Sequence, residues 1–133
     1  MKKYIIAAAV SFLALLQGCT SSTTPNKEET SSYHKINAEK AKEMMEEGNV
    51  TIVDVRSKEE YEEEHIPNAV LVPNETIKEE APSLLPDKDA VLLVHCRSGA
   101  RSKQASDTLV KLGYTQVYDF GGIMDWPYET VQE

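Results

Sequence analysis

The sequence predicts an α/β protein built on a small, mainly parallel sheet of five strands flanked by helices on both faces. Three observations predict it. Apolar, β-branched runs of strand length alternate with segments whose apolar residues recur at helical spacing. The two central runs, residues 50–55 and 90–95, are apolar almost throughout, as in strands covered on both faces. Strands joined through helices run parallel, because the connection must cross over the sheet.

Residues 33–36 form a short edge strand. Asn37 caps a helix over 38–47, with Ala38, Ala41, Met44 and Met45 on one face and Gly48 just past its end. The methionine pair fills core and is not a ligand site. The β-branched run Val50-Thr51-Ile52-Val53-Asp54-Val55 is the first buried strand. Ser57 and Glu60 make a capping box for a short acidic helix through Glu64. His65-Ile66-Pro67-Asn68 breaks that helix, since proline has no N–H and restrains the residue before it. Residues 69–72 are a short strand, and a helix lies within 74–85. After the buried strand over 90–95 comes a helix over 101–112, with Ala105, Leu109 and Leu112 aligned and Gly113 closing it. Residues 116–118 are the last strand, and Gly121-Gly122 lead to a final helical turn around Trp126.

The N-terminus has a different character. Met1-Lys2-Lys3 is followed by an apolar stretch, Ile5 to Leu16, whose only polar member is Ser11. A spanning helix needs about 20 apolar residues, so the stretch fits a secretory leader. Leu16-Gln17-Gly18-Cys19 resembles the lipobox of bacterial lipoprotein signals, which implies cleavage before Cys19 and its lipidation. Residues 19–32 are rich in Ser, Thr and Glu and lack large apolar side chains, so they read as a flexible tether. The expected organisation is a leader over 1–18, a lipidated tether over 19–32 and one domain over 33–133. The expected location is extracytoplasmic, anchored to the cell membrane or the outer membrane.

Charge and cysteine count narrow the function. Lys and Arg number 14 against 22 Asp and Glu, a formal net charge of −8. Such a chain repels phosphate backbones, which argues against nucleic acid as a partner. There are two cysteines. With Cys19 carrying lipid, Cys96 is a lone thiol, which rules out an internal disulfide and a Cys-x-x-Cys redox cycle. An unpaired thiol in an exported protein is a liability unless it has a task. His34, His65 and His95 show no metal-ligand spacing and a single Cys is a poor zinc site, so neither metal nor cofactor is expected.

That task falls to the segment His95-Cys96-Arg97-Ser98-Gly99-Ala100-Arg101-Ser102, at the end of an apolar strand and the start of a helix. Ligands of parallel sheets sit beyond the carboxyl ends of the strands, where Cys96 falls. The thiolate is the reactive form of cysteine, and an electropositive, helix-initiating loop is where a protein can stabilise one.

Four segments together resemble the rhodanese-like family. They are Ile52-Val53-Asp54-Val55-Arg56 with Glu60 and Tyr61; His65-Ile66-Pro67-Asn68-Ala69; Cys96 to Ser102; and Gly113-Tyr114 through Val117-Tyr118, Gly121-Gly122 and Trp126. Glu64 and Asn68 stand where the family often has glycine. The resemblance implies sulfurtransfer through a Cys96 persulfide, from a small sulfur-containing anion such as thiosulfate to a thiol or cyanide. The backbone N–H groups of Arg97, Ser98, Gly99, Ala100 and Arg101 can curl around the sulfur as an anion nest at a helix N-terminus. A helix terminus contributes about 0.3–1 kcal/mol, against about 1.5–3 kcal/mol for each hydrogen bond to a charged group. The amides therefore carry most of the stabilisation. Arg97 and Arg101 add positive charge for an oxyanionic donor. Asp54 and Arg56 brace the loop or each other, since buried carboxylates need partners. His65 and His95 pack and hydrogen-bond, and Gly122 and Trp126 are structural.

Two other classes compete. His95-Cys96 followed by Gly99 and Arg101-Ser102 is similar to the cysteine phosphatase and arsenate reductase pattern, but there the arginine stands sixth after the cysteine. Arg101 is fifth, so the cradle is one residue short and suits one sulfur atom better than a tetrahedral phosphate. The third class is a tethered module that binds a partner in the envelope, or senses redox state through Cys96, without turnover.

Overall fold

The computed structural model of the chain describes residues 31–132. The expected leader, the lipidation site Cys19 and the tether up to residue 30 lie outside the described residues. Five strands, β1 (Tyr33–Lys35), β2 (Val50–Asp54), β3 (Val70–Leu71), β4 (Val91–Cys96) and β5 (Gln116–Gly122), form one sheet in the order β1-β5-β4-β2-β3. Every pairing in it is parallel. The helices are α1 (Ala38–Glu47), α2 (Lys58–Glu63), α3 (Ile77–Leu84) and α4 (Ala100–Lys111), with short 3₁₀ turns at Asn74–Thr76 and Ile123–Asp125. Among the described residues no helix is long and apolar enough to cross a membrane.

Local chemistry sets the helix ends. The Asn37 side chain accepts from the Lys40 N–H at 2.8 Å, and Gly48 follows the last turn at φ 90°. Ser57 and Glu60 close the capping box in both directions. Asn68 takes φ 74°, a left-handed conformation that asparagine tolerates better than most side chains.

Side chains of a strand alternate between faces, and so do the two cores. Val53, Val55, Leu92, Val94 and Cys96 point toward α3 and α4, where Ala105, Leu109 and Tyr114 meet them. Ile52, Leu93 and Phe120 point the other way, onto Ala41 of α1, Ile66 and Trp126. Burying a side chain such as Leu93 or Leu109 is worth about 1.5–3 kcal/mol, and both are fully buried.

Three boundaries around the cysteine loop differ from expectation. β5 continues past Tyr118 to Gly122, so Gly121 and Gly122 belong to the strand and do not lead away from it. The cause is pairing: β4 and β5 remain in register through Val94 and Asp119, shift at a bulge, and pair again at Cys96 and Gly122. Correspondingly, Cys96 is the last residue of β4 and α4 begins at Ala100, one residue earlier than the pattern indicates.

Candidate active site

Cys96 ends the central strand β4, and its side chain faces the α3/α4 core at 1 % exposure. The chain then turns through Arg97 and Ser98, both exposed, to Gly99, and α4 starts at once. Gly99 adopts φ 115°, a left-handed conformation natural to glycine. This turn aims the Gly99 N–H back at the cysteine, and it donates to Sγ at 3.0 Å. Of the amides expected to surround the sulfur, that of Gly99 makes this bond.

The loop is clamped to the end of β5. A Cβ on Gly122 would lie 2.0 Å from the Arg97 carbonyl oxygen, so only glycine lets the two backbones approach this closely. The same carbonyl accepts from the Met124 N–H at 3.1 Å. Gly122→Ala should therefore push the cysteine loop off the sheet, at a cost of about 1–3 kcal/mol, seen as a lower urea midpoint. An unchanged midpoint would show that the contact is dispensable.

Beneath the loop lies a buried polar cluster that the sequence did not reveal. Ser102 Oγ sits 2.8 Å from Asp119 Oδ1 and 3.1 Å from the Gly99 carbonyl oxygen. Asp119 also accepts from the Gly121 N–H at 2.9 Å and, through Oδ2, from the Tyr33 hydroxyl at 2.9 Å. Burial, with help from Asp119, pushes Tyr33 up to about 12, so its hydroxyl stays a donor. The cluster ties edge strand, β5 and the start of α4 together under Gly99.

The two loop arginines have separate fates. Arg97 is exposed and makes no ion pair among the described residues. Arg101 is engaged: its Nη1 and Nη2 donate to Glu60 Oε1 and Oε2 at 2.8 and 3.0 Å. Arg101, expected to add positive charge for an oxyanionic donor, is paired with Glu60, whose position the capping box already fixes. Hydrogen bonding from Arg101 lowers Glu60 to about 2 from an ordinary 4.5, against the opposing effect of burial. A folded-state value below the unfolded one means that the pair's stabilisation is complete above pH 4.5 and is lost as pH falls toward 2. The urea-midpoint gap between wild type and Glu60→Gln should accordingly narrow from pH 6 to pH 3. A gap independent of pH would contradict this.

Asp54 and Arg56 brace each other. Arg56 Nε and Nη2 reach Asp54 at 2.9 and 2.7 Å, and Nη2 also donates to the Glu64 carbonyl at 2.7 Å. The neighbouring His95 lies on the sheet face opposite Cys96, against Phe120 at 5.1 Å between ring centroids. Its Nδ1 donates to the Cys96 carbonyl at 3.0 Å, and burial lowers its pKa, with Asp54 opposing. Turned to the opposite face of the sheet, it is not placed to act as a base for the thiol. His65 is buried too, stacked on Tyr61 at 3.8 Å with Nδ1 on the Tyr61 carbonyl. Among the described residues no cluster of His, Cys, Asp and Glu could hold a metal ion. An open cleft of about 480 Å³ borders the loop, lined by Lys35, Ser98, Phe120, Gly121 and Asp125 among others.

The chain is similar to known proteins in sequence and fold. A model of the rhodanese-like domain family matches residues 37–128. The chain is 38 % identical over 73 residues to the thiosulfate sulfurtransferase PspE of Escherichia coli (strain K12), spanning 55 % of this chain and 70 % of that protein. It is 34 % identical over 108 residues to a tRNA uridine(34) hydroxylase of Hamiltonella defensa, covering 77 % of this chain but 30 % of that protein's length. Among solved structures, a rhodanese with anions from E. coli superposes with a TM-score of 0.59 at 35 % identity, covering 62 % of this chain and 98 % of that one. A rhodanese-related protein from Thermoplasma volcanium gives a TM-score of 0.67 at 32 % identity, covering 76 % and 100 %.

Proposed function

Because the chain belongs to the rhodanese-like domain family, we propose that it is a sulfurtransferase that carries sulfane sulfur on Cys96. The supporting observation is the Gly99 N–H donating to Cys96 Sγ at 3.0 Å, at the carboxyl end of a central parallel strand. In the proposed cycle the Cys96 thiolate attacks the outer sulfur of a donor such as thiosulfate. The new S–S bond forms as the donor's own S–S bond breaks, and sulfite leaves with the bonding electron pair. An acceptor nucleophile, a thiol or cyanide, then attacks the outer sulfur of the persulfide; cyanide leaves as thiocyanate and the thiolate is restored. With Cys96 only 1 % exposed, the donor's terminal sulfur must enter the loop to react.

The short loop favours this over phosphate chemistry, since Arg101 comes one position too early for the phosphatase pattern and is occupied by Glu60. A tRNA substrate of the kind named for the longer relatives fits poorly with a net charge of −8. We further place the domain outside the cytoplasm, tethered to a membrane through lipidated Cys19, which the N-terminal lipobox-like segment supports. The test is incubation of the purified protein with thiosulfate and cyanide, and separately with p-nitrophenyl phosphate or with arsenate plus thiol. Thiocyanate formation is the expected result. Phosphate release or arsenate reduction without thiocyanate would overturn the reading.

A further inference from the structure

We propose that Glu60 sets the charge selectivity of the cysteine site, favouring singly charged sulfur donors over dianions by compensating Arg101. The assignment of donors rests on the sulfurtransferase reading; the electrostatic effect does not. Glu60 grips both terminal nitrogens of Arg101, at 2.8 and 3.0 Å. Both partners are partly sheltered, their side chains 30 % and 23 % exposed, so solvent screens the pair less than it screens a surface pair. The carboxylate does not swing freely, because Oε1 also accepts from the Ser57 N–H at 3.0 Å and the Glu60 N–H donates to Ser57 Oγ.

The groups acting on Arg101 are Glu60, then Cys96 and Glu75, the last on the 3₁₀ turn facing the start of α4. Arg101 therefore stands within electrostatic reach of the sulfur while Glu60 balances its charge. Among the described residues, what the loop adds against the chain's −8 is one cation without an ion-pair partner, Arg97. An incoming anion meets a neutral ion pair where the sequence alone indicates a second positive charge. The repulsion from Glu60 scales with the donor's charge, so it weighs twice as heavily on a dianion such as thiosulfate as on a monoanionic thiosulfonate or a thiol persulfide.

Glu60→Gln removes the charge while keeping the α2 cap, because glutamine still completes a capping box. The comparison between donors of different charge separates the electrostatic effect from the lost pair's contribution to stability. At low ionic strength kcat/KM for thiosulfate should rise on the order of fivefold, and for a monoanionic thiosulfonate about twofold, both gains shrinking with salt. Equal changes for the two donors, or a fall for both, would mean that Glu60 only holds the structure. A second measurement needs no turnover: the rate of Cys96 alkylation by anionic iodoacetate relative to neutral iodoacetamide. That ratio should rise about twofold in Glu60→Gln, since any change in the thiol itself cancels. An unchanged ratio overturns the proposal. A raised ratio in a protein that makes no thiocyanate would keep the selectivity and remove the sulfurtransferase reading instead.

Discussion

Cys96→Ser should reduce thiocyanate formation to the uncatalysed background, a loss on the order of 10³-fold or more. Among the described residues Cys96 is the sole free thiol, so no neighbouring sulfur can take over the transfer. Folding should survive the change. The serine oxygen is smaller than sulfur and can accept the Gly99 N–H that now ends on Sγ, and one hydrogen bond is worth about 0.5–1.5 kcal/mol net. Circular dichroism and a urea midpoint close to wild type would confirm that chemistry, not structure, was lost. A variant that still transfers sulfur at a comparable rate would remove Cys96 from the mechanism.

Arg56→Ala should produce the largest fall in stability. Asp54 is fully buried and Arg56 is 4 % exposed, and the arginine answers the carboxylate through Nε, Nη2 and its own backbone N–H. Removing the guanidinium leaves a fully buried carboxylate without its charged hydrogen-bond partner, with His95 Nε2 3.7 Å away. Breaking a buried pair from one side costs about 3–5 kcal/mol, a large share of the roughly 5–15 kcal/mol that holds a domain folded. The Glu64 carbonyl at the end of α2 also loses its donor, so the His65–Ala69 segment should loosen with it. Urea unfolding measures this directly. A loss below about 1 kcal/mol would mean that the pair behaves as a surface contact.

What the sequence revealed of this fold is what local chemistry determines. Asn37 and Gly48 bracket α1, Ser57 and Glu60 cap α2, and the largely apolar runs of β2 and β4 are visible because each signal spans only a few residues. The end of β5 was hidden, because Gly121-Gly122 has the composition of a turn. Pairing of Gly122 with Cys96, from a strand distant in sequence, keeps it in the sheet. The loop cysteine and Gly99 were legible as a motif, whereas the partner of Arg101 was not. Glu60 is 41 residues away, and its capping box already explained its presence. Asp119 is a similar case: a lone acid in an apolar strand was a usable signal, but Tyr33, 86 residues off, and Ser102 could be paired with it only in three dimensions.

The most direct test of the proposed chemistry is the intact mass of the protein after brief exposure to thiosulfate without acceptor. The expected result is a gain of about 32 Da, one sulfur atom mapped to Cys96 and removed by adding cyanide. An unmodified Cys96 in a protein that nevertheless forms thiocyanate, or the added sulfur on another residue, would contradict the account.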